Sequence, residues 1–330
     1  MNKVLSICIP SYNMEEYLGR CVESMLVSEV LDQLEIIIVN DGSKDKTLEI
    51  AENYRERYPQ SIIVIDKPNG HYGSCINASL KVATGKFFRI VDADDWVDSD
   101  ALVEFIKLVN QYDVDCVCTR FTTHFYQGGE EMLMIEAPFN TVLDLNHFTV
   151  PESCLHMHCL TYATDLLRRI EYNQTEGVCY TDSEYTYFPL SCSRNMIFLD
   201  LSLYQYLIGR EGQSMDKSVI KKNNDHFIKV IEKIDKLHSS SFDFNSNEEH
   251  LWAFMQMNLF SFAAPAYIID LDYNSTAETV LRKVMRELRK HGPWQFPDRL
   301  HNNSVRIIKL WYYSGIFSRI VLYPIKQRYS

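Results

Sequence analysis

The sequence predicts an α/β fold: a mainly parallel sheet flanked by helices, with a helical C-terminal part. Three observations predict it. Short β-branched runs alternate with helical patterns up to about Phe125, as parallel strands covered on both faces require. Polar clusters follow the first, second and fourth of those runs. After Gly209-Arg210-Glu211-Gly212 the pattern turns helical, so a boundary falls near residue 212, between a domain at 1–212 and a helical domain at 213–330.

Val4–Ile9 is an apolar run ending at Pro10, the first strand. Glu15–Val27 has helical spacing, with Tyr17, Leu18, Cys21, Val22, Met25 and Leu26 on one face. Glu35–Val39 reads as a buried strand, and Asp45 or Thr47 caps a helix running to about Tyr58. Ile62–Ile65 is the third strand, Ser74–Ala83 a helix and Phe87–Val91 the fourth strand. Ser99 begins a helix to about Tyr112, Cys116–Phe125 is a strand, and Gly128-Gly129 reads as a hairpin turn. Thr181–Leu190 is expected as a helix and Met196–Leu207 as a strand. Four helices are expected beyond: Lys217–Leu237, one opened by the capping box Ser246-Asn247-Glu248-Glu249, one from Ser275 to Gly292-Pro293, and one from Asn303 to Leu322.

Composition narrows the class. Hydrophobic residues make up 46% and charged residues 23%, which excludes a mostly disordered chain. No run of apolar residues is long enough to span a bilayer. The nine cysteines are an odd number with no leader-like segment before them, so reduced thiols and a cytoplasmic location are expected. From Arg282 to Ser330 there are 11 Lys/Arg against two acids, Glu287 and Asp298. An acidic body with a basic, aromatic tail argues against nucleic-acid binding by the main domain. The tail, with Trp311, Tyr312, Tyr313, Phe317 and Tyr323 among its cations, suits an anionic membrane surface, a buried helix or an oligomer contact.

In a parallel α/β sheet, ligands bind at the carboxyl ends of the strands. Those ends read Pro10-Ser11-Tyr12-Asn13, Asn40-Asp41-Gly42-Ser43 and Asp92-Ala93-Asp94-Asp95. Each alone is also ordinary turn chemistry; together they outline one site. Three carboxylates within four residues repel one another, and a divalent cation with oxygen preference, Mn²⁺ or Mg²⁺, offsets that repulsion. The other reading of the acidic run is a solvated turn that caps the next helix.

The segments SICIPSYN, IIIVNDGSKDKT, NGHYGSCIN, ATGKFFRIVDADD and YTDSEY resemble glycosyltransferase family 2 in order and spacing, over about residues 1–210. The resemblance implies a GT-A fold and an inverting, metal-dependent transfer from a nucleotide sugar. Tyr12 and Asp41 are then expected at the base, with Pro10, Ser11, Asn13 and Glu15 shaping its pocket. Asp92 is expected at the ribose or metal, and Asp94 at the metal bridging the diphosphate. Ala93 lies between them, and Asp95 sits beside the donor sugar or braces the loop. Asn69, Gly70, Gly73 and Asn77 fall in the third motif. Asp182 falls where such enzymes carry the general base, with Glu184 as its rival. The donor implied is a UDP-hexose or UDP-N-acetylhexosamine, and the acceptor a surface glycan or lipid-linked sugar.

The family often has Arg before the Asn of the third motif. Here Ile76 precedes Asn77, so a base or phosphate contact is either missing or supplied from elsewhere, with Lys67 as a candidate. The Glu-Asp pair of the family is Thr181-Asp182 here. Cys154, His156, His158 and Cys159 form a cluster whose spacing is wrong for standard zinc sites, although His158 is also placed to line the acceptor or diphosphate side. Arg210 and Ser214 either close over the diphosphate or belong to a hinge. Two rivals stay open, a nucleotidyltransferase acting on sugar phosphates and a non-catalytic nucleotide-sugar-binding subunit. No G-x-G-x-x-G follows the first strand, which disfavours a dehydrogenase.

Overall fold

The computed structural model describes residues 3–210, 213, 219, 222–270 and five positions between 279 and 286. The chain divides into two compact units, Met1–Gln213 with Ser241–Asn247, and Ser214–Ser240 with Glu248–Ser330.

The first unit begins as the alternating pattern requires. Strands β1 (Leu5–Ser11), β2 (Leu34–Asn40), β3 (Ile62–Asp66) and β4 (Phe87–Ile90) lie side by side in the order β3-β2-β1-β4, all parallel. Every residue of β2 and β4 is buried, because helices cover both faces. Those helices are α1 (Leu18–Glu23), α2 (Thr47–Arg57), α3 (His71–Val82) and α4 (Ser99–Val109). Asp98 caps α4 by accepting the Ala101 N–H at 2.8 Å.

α1 is shorter than its apolar spacing predicts, since residues 13–15 bond to the loop after β2 instead of opening a helix. At the entry to β4, Gly85 passes so close to β1 that a Cβ there would lie 2.5 Å from the Ser6 nitrogen. The buried Glu35 carboxylate ties this corner, accepting from Ser6 Oγ at 2.6 Å, Thr84 N–H at 2.8 Å and Thr84 Oγ1 at 2.7 Å.

Beyond β4 the sheet is mixed. β5 (Trp96–Val97), β6 (Cys116–Phe125), β7 (Glu130–Met132), β8 (Val142–Asp144), β9 (Leu160–Ala163) and β10 (Asn195–Ile208) complete ten strands. The order continues β4-β9-β6-β10-β5, with β9 antiparallel to both neighbours and β6 parallel to β10. Gly128 and Gly129, with φ of 103° and 97°, make the β6–β7 turn. α5 (Thr164–Arg169) and α6 (Asp182–Cys192) follow β9.

Residues 241–247 also belong to this unit. Asn245 donates to the carbonyls of Leu190 and Ser193 at 2.8 and 2.7 Å, and Phe242 meets the Phe188 ring at 4.8 Å. Ser246 therefore does not form the expected capping box; its hydroxyl donates to the Leu145 carbonyl at 2.9 Å.

The second unit contains helices Asn224–His238 and Glu248–Asp270. Phe227, Val230, Ile231 and Ile234 form the buried stripe of the first. His238 stacks on Trp252 at 4.6 Å and bonds Glu248 at 2.8 Å. The start of the Lys217 helix, most of the helix expected from Ser275 and the Asn303–Leu322 helix lie outside the described residues. No helix among the described residues is long and apolar enough to cross a membrane.

Candidate active site

The loops after β1 and β2 are laced together. Asn13 has φ of 54°, a left-handed conformation that Asn tolerates. Its N–H donates to Ser43 Oγ at 3.0 Å, and its side-chain oxygen accepts from Lys44 N–H at 2.8 Å. Glu15 repeats the exchange, donating its N–H to Asp45 at 3.0 Å and accepting from Lys46 N–H at 2.9 Å. Pro10 and Ser11 close β1, and the Ser11 carbonyl accepts the Asp41 N–H at 2.8 Å. Tyr12 stands on this rim, 46% exposed.

Asp41 is buried below that rim. Its carboxylate pairs with Lys67 and accepts the Gly70 N–H at 2.9 Å, while the Asn69 amide donates to its carbonyl at 3.0 Å. Gly42 has φ of 72°, and a Cβ there would sit 3.0 Å from the Asn69 nitrogen, so glycine is required. Lys67 also donates to Ser74 Oγ at 2.7 Å; it serves the Asp41 pocket.

The acidic run after β4 sorts into three roles. Asp95 is buried and braces the loop, accepting from Tyr204 OH at 2.5 Å and from Leu207 N–H at 2.7 Å. Asp94 is half-buried and holds the Arg210 guanidinium through Nε at 2.8 Å and Nη2 at 2.6 Å; Arg210 in turn lies over the Tyr17 ring. Arg20 donates to the Asp94 carbonyl at 2.6 Å. Asp92 accepts from Tyr72 OH at 2.8 Å, and Ala93 beside it is buried. Burial, then the charge of Asp94, pushes the Asp92 carboxyl up to about 7. The same causes hold Asp95 well above the usual carboxylate range. Carboxyls that burial and one another's charge hold above their ordinary range at a strand end are what a hard divalent cation offsets, so these residues fit one.

His158 joins this floor. Its ring stacks on Tyr206 at 4.4 Å and lies 4.6 Å from Tyr204, and its buried Nδ1 has no hydrogen-bond partner. A ring nitrogen of His158 and carboxylate oxygens of Asp92 and Asp95 lie within 4.8 Å of one another. Burial, with help from His156 and Arg89, lowers His158 to about 3, so the ring is neutral. The buried Arg89 holds the segment in place, donating to the His158 carbonyl and to Thr161 Oγ1 at 2.7 Å. Among the described residues the Cys154-to-Cys159 cluster forms no metal-binding group of its own.

Asp182 opens α6 and is exposed to solvent at the mouth of this floor. The protein around it hampers hydration of the charged form and raises its carboxyl above the ordinary value, against the pull of the first N–H groups of α6. Its charge reaches Asp92, Tyr72 and Tyr206. Glu184 points the other way, buried, accepting the Thr175 N–H at 2.9 Å. Asn77 is not brought to the carboxylates. It braces the loop before α6, accepting the Gln174 N–H at 2.8 Å and donating to Glu176 at 2.9 Å. It also lines a cavity of about 510 Å³ with Lys81 and Arg168. Ser214 and residues 287–330 lie outside the described residues.

Sequence reasoning passed over Tyr72, Tyr204, Arg89 and Arg20. Tyr72 stood inside the NGHYGS segment, and the alternation of Tyr204 and Tyr206 on one strand was a signal that both face the same side. Nothing in the sequence marks Arg89 as more than a strand residue.

Residues 6–171 match the model of a protein family described as glycosyl transferase family 2. The chain belongs to that family. EpsJ of Bacillus subtilis (strain 168), an uncharacterized glycosyltransferase, is 38% identical over 62% of this chain and 61% of its own. TarS of Staphylococcus aureus (strain Mu50 / ATCC 700699), a poly(ribitol-phosphate) beta-N-acetylglucosaminyltransferase, is 25% identical over 65% of this chain and 37% of its own. The chain thus spans less than two thirds of either relative. The crystal structure of TarS 1–349 in complex with UDP-GlcNAc superposes with a TM-score of 0.65 at 19% identity, covering 99% of this chain and 91% of that one. The mannosyltransferase PcManGT of Pyrobaculum calidifontis, in complex with GDP-Man and Mn²⁺, superposes with a TM-score of 0.52 at 16% identity, covering 87% and 81%. These likenesses establish the GT-A fold.

Proposed function

We propose that this chain is an inverting glycosyltransferase that moves a hexose or N-acetylhexosamine from a UDP sugar to a hydroxyl of a surface glycan or lipid-linked acceptor. The observation that carries the reading is the meeting of three parts along one edge of the sheet. They are the laced pocket around Asp41, the Asp92–Asp94 floor and the exposed carboxylate of Asp182. UDP-GlcNAc in the TarS structure supports the choice of nucleotide. Against a nucleotidyltransferase, no Gly-rich phosphate loop bearing Lys or Arg follows β1, and a non-catalytic subunit has no need of a carboxylate such as Asp182.

Tyr12 then stacks on the base while Asp41 accepts from its ring N–H, in a pocket shaped by Pro10, Ser11, Asn13 and Glu15. Asn69 and Gly70 shape its inner wall. Asp94 and Asp92 are the residues that would hold Mn²⁺ or Mg²⁺, which when bound would supply Lewis-acid neutralisation of the diphosphate. Arg210, already at Asp94, adds a second positive charge beside the departing phosphate. Asp182 takes the proton of the acceptor hydroxyl as its oxygen bonds to the anomeric carbon from the face opposite the diphosphate. The bond to the diphosphate breaks, and one such displacement inverts the configuration. The tail after Asp298 rests on an anionic membrane surface.

The test is calorimetric titration with UDP and UDP-GlcNAc, with Mn²⁺ and with chelator. Tighter UDP binding with Mn²⁺, abolished in Asp94→Ala, is expected. Equal affinity with and without the ion in the native protein rejects the metal assignment, and absence of any nucleotide binding rejects the donor.

A further inference from the structure

A row of rings follows one face of β6 and β10. In their parallel register Phe121 pairs with Tyr204, Thr123 with Tyr206 and Phe125 with Ile208, and alternate residues of a strand share a face. At the inner end Phe121 meets His158 edge-on at 5.2 Å and His156 at 5.7 Å, and Tyr206 stacks on His158. That end lies at the carboxylate floor, where Tyr206 senses the charges of Asp92 and Asp182. At the outer end Phe125 is 43% and Tyr126 63% exposed. The Tyr126 N–H donates to the Ile208 carbonyl at 2.9 Å, which fixes the hairpin tip beside Gly209 and Arg210.

Among the described residues of β6, β7 and β10, the charge added to this face is negative. β7 sets Glu131 opposite Thr123, adding a carboxylate. β6 contains a single Lys or Arg, Arg120, which pairs with Asp200 at 3.0 Å and lies over the Phe139 ring; β7 and β10 contain none. A polyol-phosphate chain carries one negative charge per unit and is recognised by cationic forks; among the described residues β6, β7 and β10 offer none to this face, and Arg210 beside the tip is taken up by Asp94. A pyranose ring instead presents C–H groups to the negative faces of aromatic rings and hydroxyls to carboxylates.

We propose that the acceptor is an uncharged pyranose glycan whose terminal ring enters over Tyr206, backed by the buried Phe121, and whose preceding unit lies on Phe125, unlike the poly(ribitol phosphate) for which TarS is named. The assignment rests on the transferase reading above and adds the acceptor class to it.

The experiment uses the full chain with UDP and Mn²⁺ present. Calorimetry measures binding of uncharged gluco-, galacto-, manno- and N-acetylhexosamine trisaccharides, and of ribitol-phosphate oligomers, to the native protein, Phe125→Ala and Phe125→Trp. At least one uncharged trisaccharide is expected to bind better than the ribitol-phosphate oligomers. Phe125→Ala is expected to weaken it about 2- to 10-fold, the range of an aromatic contact, and Phe125→Trp to restore it, with UDP affinity unchanged in both. Tighter binding of ribitol phosphate, no saccharide binding beside intact UDP binding, or indifference to Phe125→Ala overturns the acceptor assignment alone. Adsorption to phosphatidylcholine vesicles that is lost in Phe125→Ala assigns the row to a lipid surface and overturns it too. Loss of UDP binding by the native protein strikes the transferase reading instead.

Discussion

Asp92→Asn should stabilise the protein in the absence of metal and nucleotide, and do so only above acidic pH. The folded state lifts this carboxyl from 3.8 to about 7, chiefly by burial and then by the charge of Asp94. Its ionisation therefore opposes folding. The sign follows from linkage: below about pH 4 the group is protonated in both states and nothing is lost. Between about 4 and 7 the unfolded chain gives up the proton more readily, so folding stability falls as pH rises. Above about 7 the full penalty stands. Three units at about 1.4 kcal/mol each set a ceiling near 4 kcal/mol. Water reaches this half-buried group, so about half, roughly 2 kcal/mol, is the expected gain. Asn keeps an oxygen to accept from Tyr72 and nearly the same shape. The assay is chemical denaturation of both proteins in chelator from pH 4 to pH 8. The difference should be near zero at pH 4, grow steadily and level off above pH 7. A difference that stays flat with pH, or a variant less stable than native at pH 8, refutes the account of the acidic floor. The same variant should lose most of the thermal shift that UDP with Mn²⁺ gives the native protein.

Asp182→Asn should reduce turnover about 10²- to 10⁴-fold with donor affinity almost unchanged, whereas Glu184→Gln, buried against Thr175, should show itself in thermal denaturation more than in kinetics; the reverse pattern moves the base. Gly73→Ala would force a Cβ to within 2.3 Å of the Thr175 carbonyl oxygen. It should destabilise the fold by about 1–3 kcal/mol and slow turnover more than it weakens UDP binding, read by melting and calorimetry. Deletion of 299–330 should release the protein from anionic vesicles in a co-sedimentation assay while UDP binding persists; native protein that stays in the supernatant at low salt rules out the interfacial role.

The first half of the sheet was legible because each strand there is a short, uninterrupted apolar run with a polar end. Burial on both faces demands that pattern. β9 escaped because Leu160–Ala163 is four residues long and follows two single-turn helices, too short for any period to register. The mixed character of the second half escaped with it, since β9 is the strand that reverses direction between β4 and β6. At the site, residue type announced Asp92, Asp94 and Asp182, but not what each faces. Only the fold turns Asp95 to Tyr204 and Glu184 toward Thr175. The contact between Asp94 and Arg210 joins residues 116 positions apart, a separation that sequence spacing does not address.

The return of Ser241–Asn247 to the first unit means that the chain passes between the two units three times. The first unit is therefore not a detachable module. A protein ended at residue 213 would lack Asn245, leaving the Leu190 and Ser193 carbonyls at the end of α6 without that donor, and would bare the Phe188 ring where Phe242 and Phe244 lie. Because Asp182 begins the same helix, such a cut would loosen the far end of the element that carries it. Gene fusions or domain exchanges that place their junction after residue 247 would keep this support. Junctions near 213, which the linear sequence suggests, would remove that support while leaving the loops of β1 and β2 intact.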